Sequence, residues 1–248
     1  MRLGWLACAI APFVFPSLGC GAKSGLTGLL PKYDIDAAAE LDGALPPITI
    51  GIVRSGETDV TACSQRFVDA FGDDAHVEPV DSNADYPVFH AHDLVVACSN
   101  WAELGRQDIL GRSDLYTRYV RDGGGLFLFQ PNPYPLDSER IDLLPEWFVV
   151  ATFYSDHTVS IVDPNHPVTR GLSASDMPYP ADRITDFSNG WTELAKGDQS
   201  GDGSLIVADI GLGRAALDAS HHLRIAGGGM NDSDALVRRL GLWLTHRL

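Results

Sequence analysis

Hydrophobic and polar positions follow no steady period up to residue 47, and from there the rhythm changes. ITIGIV (48–53) is β-branched and almost wholly apolar, and the polar RSGETD ends it. That pattern predicts a buried strand. Thr61 stands where a helix cap is expected. Phe67, Ala70 and Phe71 then fall on one side of a helix that Gly72 stops. HVEPVD predicts a weaker strand, because Pro79 cannot donate to a ladder. HDLVVACS predicts a stronger one. DILGRSDLYTRYVRDGGG predicts a single helix, with Ile109, Leu115, Tyr116 and Tyr119 at helical spacing and glycines at its end. LFLF (126–129) is the next strand. The order strand, helix, strand, strand, helix, strand, with runs too continuous for a half-exposed sheet, predicts an α/β fold. Its sheet is mostly parallel and covered by helices on both faces.

The second half reads differently. PEWFVVATFY and TVSIVD predict strands, and PNHPVTRGL a turn-rich loop. Residues 191–228 hold three strand-like runs separated by Gly/Asp turns, which predict β-hairpin additions. DSDALVRRLGLWLTHRL predicts a closing amphipathic helix capped by Asp232 or Ser233. Leu236, Val237, Leu240, Leu242, Trp243 and Leu244 are its docking face. No internal repeat is present.

The first 45 residues carry another kind of signal. MRLGWLACAIAPFVFPSLGC has one early arginine, an apolar run broken by prolines, and Gly19-Cys20 at its end. It reads as a signal peptide over 1–20, too short and too broken for a comfortable membrane span. It also resembles a bacterial lipoprotein signal, which implies lipid on Cys20 and attachment to a membrane of the cell envelope. A cleaved signal without lipid and an uncleaved anchor are the other two readings. Residues 21–45 lack periodicity and read as a flexible tether, with a weak helix at Asp34–Leu41. The α/β domain spans 46–248.

Composition narrows the partners. The net charge is −15, and the only lysines are Lys23, Lys32 and Lys196. Without a basic stripe to meet phosphates, nucleic acid is excluded as a partner. No cofactor-binding motif is present, and no CxxC or Cys/His spacing for zinc.

YVRDGGGLFLF, VDPNHPVTRGL and GLGRAALDASHH, followed by a terminal helix, resemble the class I glutamine amidotransferase-like superfamily, in particular its trehalose-utilisation-like branch. The order and spacing of the three pieces match, and the resemblance covers about residues 47–248. It implies a flavodoxin-like sheet. It also implies a nucleophilic cysteine on the turn after Leu126–Phe129, and a histidine with an acid late in the chain. Gln130-Pro131-Asn132 fill that turn here and none can attack a carbonyl. His221 and His222 fall in the histidine region, and no acid follows them. The resemblance therefore implies the fold without amidotransferase chemistry.

Other residues carry more than one reading. In an exported chain Cys63 and Cys98 remain as an even pair. A structural disulfide, two free thiols, and Cys98 as a nucleophile behind its strand all stay open. Asp198, Ser200, Asp202, Gly203, Leu205 and Asp209 are spaced like a calcium loop, against the plainer reading of a polar hairpin turn. His90, His92 and Asp93 form a metal fragment or a solvated loop at the amino end of a strand. QPNPYPLDSERIDLLPEWF is a lid or a cover for the sheet edge, with Tyr134, Trp147 and Phe148 able to stack on a sugar or protein. Gln130, Asn132, Tyr134 and His166 are the expected rim residues; His166 alternatively fixes its own turn or packs under the loop, or acts as a catalytic base.

Two functions follow. One is an exported, membrane-tethered, non-catalytic binding or scaffolding protein. Its carboxyl rim would take a small molecule, a sugar or a protein. The other is a hydrolase-like enzyme using Cys98, or His221 or His222 with Asp209 or Asp218.

Overall fold

The computed structural model describes residues 45–54, 60–98, 109–129, 138–152, 158–178, 182–220 and 234–248. Pro46–Leu248 is one contact unit. Its eleven described strands form a single sheet. β1 (Ile48–Arg54), β2 (Ala75–Asp81), β3 (Leu94–Ala97), β4 (Gly125–Phe129) and β11 (Gly213–Asp218) run parallel in the order β2-β1-β3-β4-β11. β10 (Gly203–Ile210) joins β11 antiparallel. β8 (Asp182–Phe187), β6 (Phe148–Thr152) and β5 (Ser138–Ile141) extend the sheet beyond it. β9 (Thr192–Gly197) also pairs with β10 and carries β7 (Val159–Ile161).

The apolar runs are continuous because both faces are covered, and alternate residues serve opposite layers. Leu94 and Val96 face one core and Val95 and Ala97 the other. On the first side α1 (Thr61–Phe71) and α4 (Asp234–Leu244) bring Phe67, Phe71, Leu236, Val237 and Leu240 against Ile50, Ile52 and Phe127. On the second, α2 (Tyr86–His90) and α3 (Ser113–Arg121) bring Phe89, Tyr116 and Tyr119 against Val95, Leu126 and Leu128. Full burial of each such side chain stabilises the fold by about 1.5–3 kcal/mol. This is the flavodoxin-like α/β arrangement expected from the sequence.

Several local expectations are corrected. Val60, not Thr61, is the N-cap of α1, and no side-chain hydrogen bond caps it. Gly72 does end the helix, at φ 56°. The helix expected over 108–121 is interrupted, since Gly111 and Arg112 form a turn and α3 begins at Ser113. β2 forms despite Pro79, because among the described residues it is the outermost strand and one of its sides has no partner strand to bond. The stretch read as a lid or edge cover contains β5, and its Ile141, Leu143 and Leu144 are buried. Phe148 is buried and meets Trp191 edge-on at 5.7 Å, so it does not stand out to stack on a ligand. Trp147 lies under the Arg140 guanidinium, 4.4 Å away. The tether with its Asp34–Leu41 helix, and the Asp232 and Ser233 caps, lie outside the described residues.

Candidate functional site

Connections leave β1 and β3 in opposite directions, because β1 lies between β2 and β3. The carboxyl ends of these strands therefore flank a topological switch point, where open α/β sheets bind ligands. Cys98 follows β3 directly, and Cys63 lies in the first turn of the helix that follows β1. The structure joins them in a disulfide across this point, with Cα atoms 6.4 Å apart and a sequence separation of 35 residues. Both are almost wholly buried. The bond removes both thiolates, so neither sulfur is available as a nucleophile.

Further along the same rim, β11 ends at Asp218. Its Oδ1 accepts the Ser220 N–H at 2.9 Å. Ala219, between them, accepts from the Asp182 N–H at 3.0 Å and donates to Ser204 O at 2.9 Å. Three strand ends thus converge through main-chain bonds. They bring together four buried polar residues, Asp182, Ser204, Asp218 and Ser220. Ser204 Oγ has no hydrogen-bond partner among the described residues. Of these, the sequence alone points only to Asp218. For Ser204 the signal that could have found it is a polar residue at the very start of the apolar run LIVA; Asp182 opens the mixed run RITDF and carries no such signal. Gln130, Asn132, Tyr134, His221 and His222 lie outside the described residues.

The remaining candidates sit elsewhere. His166 is not on the carboxyl rim. Its ring meets Trp243 at 5.3 Å, and its Nδ1 accepts the Val168 N–H at 3.2 Å, so it fixes its own turn. Trp243 O in turn accepts from Arg214 Nη1 at 2.6 Å, and Arg214 opposite Gly125 marks the amino edge of the parallel strands. Burial pushes the His166 imidazole below the ordinary histidine value, and does the same to His246. Asp209 is held by Arg214 at 3.1 Å on that edge. It lies at the opposite end of β10 from Asp202, which pairs with Arg183 at 3.0 Å. The calcium-like spacing is therefore spread along a strand, and Asp209 is also too far from the Asp218 rim to serve a histidine there. Asp198 and Ser200 lie in the hairpin turn before β10, and Ser200 Oγ accepts the Asp202 N–H at 3.1 Å. No group of three or more His, Cys, Asp or Glu among the described residues is arranged to hold a metal ion.

His90, His92 and Asp93 border an amino-edge cleft of about 190 Å³, together with Tyr119, Asp122 and Thr245. Its His92, Asp93 and Asp122 side chains are committed to the framework. His92 Nδ1 lies 2.9 Å from Val88 O, and its Nε2 lies 2.9 Å from Glu78 Oε1. The hydrogen bond from His92 holds the Glu78 carboxyl below the usual carboxylate range. Asp93 Oδ2 accepts both the N–H and the hydroxyl of Thr49, at 2.9 and 3.0 Å. Asp122 accepts the Tyr86 hydroxyl at 2.6 Å.

No family model matches the chain, and no curated protein matches it. Solved structures do. A candidate GMP synthase subunit from Thermoplasma acidophilum is 10% identical. The match covers 82% of this chain and 96% of that one at a TM-score of 0.55. A cytoplasmic protein of Salmonella typhimurium is 12% identical over 79% of this chain and 99% of that one, at 0.54. A ThuA-like protein from Parabacteroides merdae is 14% identical over 80% and 90%, at 0.47. At identities this low the first two speak for the α/β fold alone.

Proposed function

We propose that the protein is an exported, membrane-tethered binding protein without catalytic activity, built on an amidotransferase-like fold. The observation that carries this reading is the Cys63–Cys98 disulfide at the switch point. With Cys8 and Cys20 in the signal segment, it leaves no free thiol in the α/β domain. The turn where the resembling family keeps its cysteine reads Gln130-Pro131-Asn132, which offers no nucleophile. The rim then works by recognition, with a small molecule, a sugar or a protein as its partner. Export and lipid attachment rest on the run ending in Gly19-Cys20.

A second reading has one observation in its favour. Asp218 is a buried carboxyl at the rim, three residues before His221, so an acid and a histidine adjoin in sequence where hydrolytic chemistry needs both. One preparation tests the two. Full-chain protein is recovered from membranes, its N-terminus is weighed, and it is incubated with glutamine and simple amides while ammonia is followed. The binding reading expects a lipid-bearing Cys20 and no ammonia. Ammonia production lost in an Asp218→Asn variant would establish the hydrolase instead. A retained Met1 would remove the tether.

A further inference from the structure

The chain contains a single Asn–Gly pair, Asn189-Gly190, in the turn joining β8 to β9. The Trp191 N–H closes this turn on Ser188 O at 3.1 Å. Both residues of the pair are exposed. Neither the Asn189 carboxamide nor the Gly190 N–H has a hydrogen-bond partner among the described residues. We infer that Asn189 is a site of spontaneous covalent modification, converting to aspartate and isoaspartate through a cyclic imide. The Gly190 nitrogen gives up its proton to water and attacks Asn189 Cγ. A C–N bond forms, and the carboxamide nitrogen leaves as ammonia. Water then opens the ring. Cleavage at Cγ gives an ordinary aspartate at this position. Cleavage at the main-chain carbonyl gives isoaspartate, with the backbone rerouted through the side chain. The net change is asparagine plus water to a carboxylate plus ammonium.

Two features of this turn matter. Glycine presents no Cβ to hinder the attack and leaves the backbone free to reach the conformation that cyclisation needs. A Cβ at Gly190 would overlap the Glu146 carboxyl group, so a larger residue there would have to displace that side chain. The product has consequences at the same place. Glu146 accepts the Ser188 hydroxyl at 2.5 Å, and its carbonyl accepts the Trp191 indole N–H at 3.2 Å. A new carboxylate at 189 adds a negative charge next in sequence to Ser188, whose hydroxyl Glu146 holds, and isoaspartate lengthens the chain between Ser188 and Trp191.

The test holds folded full-chain protein at mildly alkaline pH, with peptide mass mapping and isoaspartate detection over time. Asn189 is expected to convert roughly tenfold faster than Asn83 or Asn165, because only it precedes a glycine. An Asn189→Ser chain should keep its charge over the same period. Conversion no faster than at Asn83 and Asn165, while a peptide spanning 185–195 converts readily, would overturn the inference and show that the closed turn shields the pair.

Discussion

Side chains close the amino edge of the sheet, whereas a covalent bond and main-chain bonds close the carboxyl rim. At the amino edge Arg214 grips Trp243 O and Asp209, Arg247 reaches Pro46 O, and Asp93 takes both Thr49 donors. At the rim, Cys63 is tied to Cys98, and Ala219 is bonded through its backbone to Asp182 and Ser204. A polar side chain already committed to the framework cannot turn to a ligand without losing a bond it has made. The amino edge is thus a structural closure even where it forms a cleft. The rim's framework is held covalently and through the backbone, and among the described residues it leaves Ser204 Oγ without a hydrogen-bond partner.

The strongest way to break this contrast is to cut the rim's covalent tie. Replacing both Cys63 and Cys98 with alanine opens a loop of 35 residues, for which chain entropy gives a loss on the order of 3–4 kcal/mol. Denaturant midpoints of the wild-type and double-variant proteins measure it. An equal midpoint, or two reactive thiols in denatured unreduced protein, would show that the rim is not held covalently.

At the amino edge the comparable disturbance is steric. Gly213 opens β11 where a Cβ would overlap the backbone oxygens of Val120 and Gly124. Gly213→Ala is expected to cost about 1–3 kcal/mol, the usual range for overpacking. The loss should appear in thermal unfolding, with the disulfide intact.

The mildest test uses acid. His166 and His246 have folded values lowered by burial from 6.5. Unfolding therefore takes up protons at these sites. Their contribution is full above the unfolded histidine value and is lost as pH falls through and below it. Midpoints taken from pH 8 downward should decline, and less steeply in His246→Asn. That variant also suits the backbone, because residue 246 has φ 58°, a left-handed conformation in which asparagine is comfortable.

Legibility divides along the same lines as the fold. β1, β3 and β4 are plain in the sequence because both their faces are buried, so nearly every residue is apolar. β5 and β8 are not. SERI and DRITDF each mix charged and polar residues with one or two apolar ones, and strands of that composition look like loop. The charged residues find local partners that no periodicity reveals, as Arg183 does with Asp202 and Arg140 with Asp142. The rim is legible as a location, from strand ends and turn residues. Its buried polar residues are not, because Ser204 and Asp182 are brought beside Ala219 only by the antiparallel pairing of β10 and by the chain's return at β8. His166 misleads for the converse reason. Its partner Trp243 is distant in sequence and comes from the helix that closes the chain.

Arg247 binds the carbonyl of Pro46 and approaches Asp93 at 3.7 Å. The first strand and the final residues of the folded unit are thereby pinned to one spot. Such a unit is, in topological terms, a ring cut once. Where the cut falls is then nearly independent of which strands lie side by side. A short linker from 248 to 46, with new ends opened in the Gly201 turn, would rename every element while keeping each neighbour.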